Sequence, residues 1–366
     1  MRNKCFYCFF FSVFFLSTLC AQKEKNTQYI LFNRAPGISM SQAHPETINE
    51  SSFMDVSTAF RPTSNSTIQI GLCFILSPFR TSEEQTVQTL KNLLHAAEKT
   101  NVPVMIHLDL EQWWEARPDL WNWWNPDIEG FNPDNRKNVE WTGWSADDAI
   151  KIAWRNWGRQ IRVLPPPNLS SPQYLKACSE QIRLLIPWVV KWADNLPEDK
   201  KHLFAGLKVG HESSIGVNAF YYPNGNDLLD KPISEDPQTG INSADVLSRG
   251  VQQIGYAAIQ TAGIRTSGDV IENDIYEAVR RYLLFLSKET AACGVPREKL
   301  FTHGAGWSDG ELLYDAAVNP YACPGWSFYA HAANPMNEPA VKRNLEKTDA
   351  PYWGAVEWML MENVNP

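Results

Sequence analysis

The sequence has no excess of basic residues. Lysine and arginine number 33 against 41 aspartate and glutamate, for a formal net charge of −8. Without basic runs the chain has no electrostatic footprint for a phosphate backbone, which excludes nucleic acid as a partner. It suits a neutral or weakly charged substrate. Cysteine is scarce as well. Of seven cysteines, Cys5, Cys8 and Cys20 lie near the N-terminus, and Cys73, Cys178, Cys293 and Cys323 stand far apart. None of these last four makes a C-x-x-C pair, so neither a disulfide framework nor a thiolate metal site is demanded. Cys73, inside an apolar run, reads as a buried free thiol. H-x-H and H-E-x-x-H are missing too, so no dedicated zinc site and no cofactor is expected. No glycine-rich phosphate loop follows the first strand candidate, against an open dinucleotide-binding sheet. Beyond residue 22 no run is long and apolar enough to cross a bilayer.

What is present begins with an export signal over residues 1–21. Arg2 and Lys4 supply positive charge, Phe9 to Leu16 an apolar run, and Ser17, Thr18 and Ala21 a small or neutral close before Lys23. That order reads as a cleavable secretory signal. The expected location is secreted or periplasmic. Cys20 offers a lipid anchor, and so an outer-surface lipoprotein, as the alternative, although Leu19 stands where a small residue is expected.

The outlier in composition is tryptophan, 15 residues in all. Nine fall between positions 113 and 157, namely Trp113, Trp114, Trp121, Trp123, Trp124, Trp141, Trp144, Trp154 and Trp157. A core does not need that density in one segment. A sugar cleft does, because the C–H face of a pyranose stacks on indole while the indole N–H meets a hydroxyl. In the segment EQWWEARPDLWNWWNPD the tryptophans alternate with Pro, Asn, Asp and Arg, as in a structured loop. Trp113, Trp114, Trp124, Trp141 and Trp144 are therefore expected to line a substrate platform. Trp154 and Trp157, in the helical-looking stretch Ala146–Trp157, read as packing inward.

Apolar runs and amphipathic segments alternate along the rest. Strand candidates are Tyr29–Phe32, Ile68–Leu76, Val102–Leu110, Phe204–Val209, Leu300–His303, Trp326–Tyr329 and Trp353–Trp358. Helix candidates are Thr81–Thr100, Ser171 to about Asn195, Ser243–Ala262 and Glu272–Ala292, with residues 34–67 as loop. This repetition implies a parallel α/β sheet, and at this length a (β/α)₈ TIM-type barrel. Residues 22–366 form its single catalytic domain, with a tryptophan-rich insertion from about residue 111 to 170. The eighth strand is not visible, so the barrel lacks its last strand or is irregular there.

In such barrels the working residues follow the C-terminal ends of the strands. Asp109 and Glu111 follow the third candidate, His211 and Glu212 the fourth, His303 and Trp307 the fifth, and Tyr329 and His331 the sixth. The seventh holds Glu357. Glycoside hydrolysis needs two carboxyl groups, and Glu212 and Glu357 each end an apolar run where an idle carboxylate would be costly. Asn218, Tyr221 and Tyr222, in the loop after Glu212, offer amide and hydroxyl groups suited to sugar hydroxyls. Asp109, Glu111, His211, His303 and Trp307 complete the expected substrate contacts.

With Glu212 ending strand four and Glu357 ending strand seven, the chain resembles the clan of retaining glycosidases built on the (β/α)₈ barrel. The resemblance covers most of residues 22–366 at the level of pattern. It implies Glu212 as acid/base and Glu357 as nucleophile in double displacement on a carbohydrate substrate. The chain departs from the clan at His211, where the clan usually has Asn. Two alternatives stand beside it. One is a non-catalytic glycan-binding barrel. The other is an inverting glycosidase that pairs Glu212 with Asp109 or Glu111.

Overall fold

The computed structural model describes residues 27–33, 40–59, 67–242 and 245–359. The export signal, Cys20 and Ser243 lie outside the described residues.

The chain opens with β1 (Gln28–Phe32) and α1 (Glu50–Ala59). α1 occupies the stretch expected to be loop, because Phe53 and Val56 are fully buried and tertiary packing overrides its poor helix formers. Next come β2 (Ile68–Leu76), α2 (Glu83–Thr100) and β3 (Val104–Leu108). The start of α2 is fixed by a capping box between Ser82 and Gln85. Leu90, Leu93, Leu94 and Ala97 then recur at helical spacing and are buried. Each leucine contributes about 1.5–3 kcal/mol by leaving water. β2 and β3 lie so close at Gly71 that a Cβ there would sit 2.1 Å from the Pro103 carbonyl oxygen, so glycine is required.

The insertion follows. It holds α3 (Pro118–Trp121) and the antiparallel pair β4 (Ala153–Trp157) and β5 (Arg159–Val163). The expected helix Ala146–Trp157 is thus corrected. Only Ala146–Asp148 makes a 3-10 turn, and the rest enters a hairpin that turns at Gly158, φ +76°. Then come α4 (Pro172–Asn195), β6 (Phe204–Val209) and β7 (Ala219–Phe220), the last pairing with β4. α5 (Tyr256–Thr261) is far shorter than the expected Ser243–Ala262 helix. Gly255 precedes it at φ +112° and breaks any helix arriving from upstream. α6 (Glu272–Ala292), β8 (Leu300–Thr302), β9 (Gly325–Phe328), α7 (Pro339–Lys347) and β10 (Gly354–Trp358) complete the order.

β1, β2, β3, β6 and β8 form one parallel sheet in that order. Parallel bridges Phe301–Cys323 and Gly304–Trp326 carry it on to β9, which pairs in parallel with β10. α2, α4 and α6 bury their apolar stripes in one continuous core with these strands.

The sheet is curled. β6 and β10 stand three strand steps apart, about 14 Å in a flat sheet. Yet Lys208 Nζ on β6 donates to the Val356 carbonyl on β10 at 2.9 Å. A lysine side chain reaches across only if the sheet bends round on itself. Among the described residues β1 and β10 do not pair, so the architecture is a mixed α/β half-barrel. No helix among them is long and apolar enough to cross a membrane. Cys73, Cys178, Cys293 and Cys323 are free, and Cys73 is buried.

Candidate active site

The concave side of the curl gathers residues from β3, β6, β8, β9 and β10. Glu212 follows β6 through Gly210, φ +83°, and itself takes φ +41°, a left-handed conformation unusual for any residue but glycine. Bonds from the neighbouring strand hold this turn. His107 Nε2 lies 2.7 Å from the Gly210 carbonyl, and Gln112 Nε2 donates to the His211 carbonyl at 2.7 Å. The Glu212 carboxylate is buried. Tyr329 donates to its Oε1 at 2.7 Å and Asn218 Nδ2 to its Oε2 at 2.8 Å.

Glu357 comes from the far edge of the curl. An oxygen of Glu212, an oxygen of Glu357 and a ring nitrogen of His303 lie within 4.8 Å of one another. His211 Nε2 and His303 Nε2 each stand 3.9 Å from Glu357 Oε2. The two imidazoles stack with centroids 5.4 Å apart. His303 Nε2 also contacts Ser327 Oγ at 2.7 Å. Burial above all, then the charges of Glu212 and Glu357, pushes the Tyr329 hydroxyl well above its usual range. It therefore stays protonated, a donor poised between the two carboxylates.

Asp109 is fully buried, and both its oxygens are occupied. Oδ1 accepts from the backbone N–H of Glu111 and Gln112, and Oδ2 accepts from Ser77 Oγ at 3.1 Å. His211 Nδ1 lies 3.3 Å from the same Oδ2. Burial alone would raise this carboxyl, but the His211 charge and contact and the two backbone N–H groups outweigh it, so its pKa is lowered. Asp109 thus orients the imidazole that faces Glu357. Glu111 is buried, and its Oε1 accepts from the Ser214 N–H. Burial pushes its pKa up to about 7.

The aromatics divide sharply. Trp113 is partly exposed and stands edge-on to Trp157 at 5.6 Å, and Trp157 lies over His211 at 5.6 Å. Arg155 spans both indoles, 4.5 Å from Trp113 and 5.0 Å from Trp157, and Arg80 covers Trp113 at 4.6 Å. Trp157 is 37% exposed, so the expectation that it packs inward is corrected, whereas Trp154 beside it is 0% exposed. The reason is strand alternation, which sends these two residues to different environments.

Trp114 and Trp141 are buried, and their indole N–H groups donate to the Pro165 and Arg136 carbonyls. They are core, with neither a face nor an N–H free for sugar. Trp124 packs with Trp121 and Trp123, and Trp144 stands on Tyr256 with its N–H on the Gly268 carbonyl. Tyr221 and Tyr222 are also buried, against Trp154, and the Tyr221 hydroxyl accepts from the Asn226 N–H. Neither tyrosine lies over the carboxylates as expected. Trp307 is 39% exposed on the loop after β8, against Phe220.

Tyr329, Arg155 and Trp157 are the neighbours of the carboxylates that the sequence reading under-weighted. The alternation AWRNW, followed by Gly158 and RQIRV, is the hairpin signal that would have found the last two. A G-x-S-x-G spacing occurs at Gly306–Gly310. It lies on a loop that leads into a 3-10 turn, Leu312–Ala317, so it is not the strand–turn–helix elbow of a serine hydrolase.

Among the described residues, three groups of side chains place metal-ligating atoms within 4.8 Å, namely His107/His211/His303, Glu212/His303/Glu357 and Asp309/His331/Glu338. The first adjoins the buried Lys208 ammonium. Burial, then that charge, holds His107 and His303 well below the usual imidazole range, so a cation there would meet a positive neighbour.

No family model and no curated protein matches the chain. Solved structures that are similar at a low level include two glycoside hydrolases. One is a Bacteroidetes-affiliated GH5 cellulase linked with a polysaccharide utilization locus. It is 9% identical at TM-score 0.31, over 86% of this chain and 61% of that one. The chain thus spans less than two thirds of that cellulase. The other is a glycoside hydrolase family 5 enzyme from Prevotella bryantii. It is 10% identical at TM-score 0.34, over 93% of this chain and 80% of that one. At these values the functional reading rests on the chain's own residues.

Proposed function

We propose that the chain is a glycosidase that cleaves glycosidic bonds of a poly- or oligosaccharide by retention. The observation that carries this reading is the approach of Glu212 and Glu357 to within 4.8 Å at their nearest oxygens. Retaining pairs stand about 5–5.5 Å apart, whereas inverting pairs leave about 6.5–9.5 Å for a water. In this reading the half-barrel is the greater part of a (β/α)₈ barrel, and Trp157 and Trp307, each more than a third exposed, offer indole surface to the sugar. The protein acts outside the cytoplasm, after export directed by residues 1–21.

Glu357, the more exposed carboxylate, attacks the anomeric carbon. Glu212 protonates the leaving oxygen and then activates the water that releases the sugar. One observation favours exchanging the two roles. Both Glu212 oxygens already accept hydrogen bonds, from Asn218 and Tyr329. These two donors favour the ionised form that a nucleophile needs, although each oxygen keeps a second lone pair that a proton can take.

A 2-fluoro glycoside with an activated leaving group decides. Label on the peptide Val356-Glu357-Trp358 is expected. Label on Glu212 exchanges the roles, and label on Asp109 or Glu111 removes the proposed pair. Glu357→Ala with azide and an activated glycoside should give a glycosyl azide of inverted configuration. Saccharide binding without turnover across a polysaccharide panel would leave the non-catalytic glycan-binding protein instead.

A further inference from the structure

A second cluster lies away from the carboxylate pair, where the loop after β8 meets the loop after β9. His331 Nε2 and Glu338 Oε2 are both buried, neither has a hydrogen-bond partner, and they face each other at 3.9 Å. Asp309 Oδ2 lies 2.9 Å from the same imidazole nitrogen. The Glu338 side chain is 1% exposed. Its other oxygen is occupied, since Oε1 accepts from the Gly310 N–H at 2.7 Å and from the Ala340 N–H at 2.9 Å, capping α7. The Arg343 guanidinium is committed to Asp315 and to the carbonyls of Gly310 and Glu311. Oε2 is therefore a buried carboxylate oxygen with no donor, aimed at an imidazole nitrogen and a second carboxylate. Folded proteins seldom leave such a group unpaired, and a bound ion is one of the standard resolutions.

We propose that Asp309, His331 and Glu338 bind one divalent transition-metal ion, with zinc the best fit. One imidazole nitrogen and two carboxylate oxygens suit zinc, whereas calcium takes about 6–8 oxygen ligands. Zinc bonds of about 2.1 Å in a tetrahedron set ligand atoms about 3.4 Å apart. The separations of 2.9 and 3.9 Å straddle that value. Asp309, 62% exposed, gives the ion its way in, and water completes the coordination. The bound ion staples the two loops together. One carries Trp307, and the other carries Tyr329, the donor to Glu212. The site does not depend on the glycosidase reading.

The test uses untagged protein, stripped with EDTA and titrated with zinc sulfate by calorimetry. Cobalt(II) titration with visible absorption serves as a second readout. One equivalent should bind, and a millimolar excess of calcium should not displace it. His331→Ala should weaken binding by about 100-fold or more, beyond the range for groups one shell further out. Asp309→Asn, at an exposed side chain, should weaken it too. The proposal is overturned if the protein binds no stoichiometric zinc. It is also overturned if zinc binds with an affinity that neither variant changes.

Discussion

Tyr329, the residue after β9, donates to Glu212, which follows β6, across the mouth of the curled sheet at 2.7 Å. Burial and the two neighbouring carboxylates keep that hydroxyl protonated. Tyr329→Phe removes the donor and leaves the ring. A hydrogen bond to a charged group contributes about 1.5–3 kcal/mol, so kcat should fall roughly 10- to 100-fold. The melting temperature should change little. If kcat is unchanged, the Tyr329–Glu212 bond plays no part in turnover.

Trp154 and Trp157, three residues apart in β4, have opposite tasks. Trp157→Ala should weaken saccharide binding by roughly 1–3 kcal/mol, the scale of one aromatic face, and leave stability nearly intact. Trp154→Ala should cost about 3–5 kcal/mol of stability, because a fully buried indole leaves a cavity. Chemical denaturation and affinity electrophoresis on the two variants separate these effects. The assignment is wrong if Trp157→Ala unfolds as readily as Trp154→Ala.

Glu111 makes stability depend on pH. Burial raises its pKa from 4.5 to about 7 in the folded chain. Between those values the unfolded chain has released the proton and the folded chain still holds it, so stability falls as pH rises across that window. The Glu111 contribution is flat below the window and flat again above it. Its loss is at most about 3 kcal/mol. Glu111→Gln should lack this pH dependence. Melting temperatures at pH 4.5 and pH 7.5 should therefore fall more for the parent than for the variant. Equal slopes would mean that Glu111 ionises in the fold as it does in water.

The strands of the parallel sheet were legible because each is an apolar run, and in β3 and β6 burial on both faces demands such runs. α6 was legible to the residue, and α4 to its first turn, because helical spacing and caps mark them. The insertion was not. Its hairpin hides tryptophan among polar residues, and its fold is set by contacts to distant β7 and the Asp236 loop, where Trp154 Nε1 donates to Asp236. The same cause misplaced Trp114, Trp141, Tyr221 and Tyr222. An aromatic side chain in a polar stretch looks the same in sequence whether its polar end meets a sugar or a backbone carbonyl. Glu212 and Glu357 stood out because each carboxylate ends an apolar run. Tyr329 did not, since its partner lies 117 positions away.

The left-handed backbone at Glu212 sets a ceiling on this molecule. A side chain at φ +41° costs about 1–2 kcal/mol relative to glycine. Glycine would relieve that strain, yet it would leave the Asn218 and Tyr329 donors without the carboxylate that accepts from both, a loss of about 1.5–3 kcal/mol for each bond to a charged group. The two bonds that orient the carboxylate therefore also hold the strained turn in place, and a replacement that relaxes the backbone loosens the mouth of the curl.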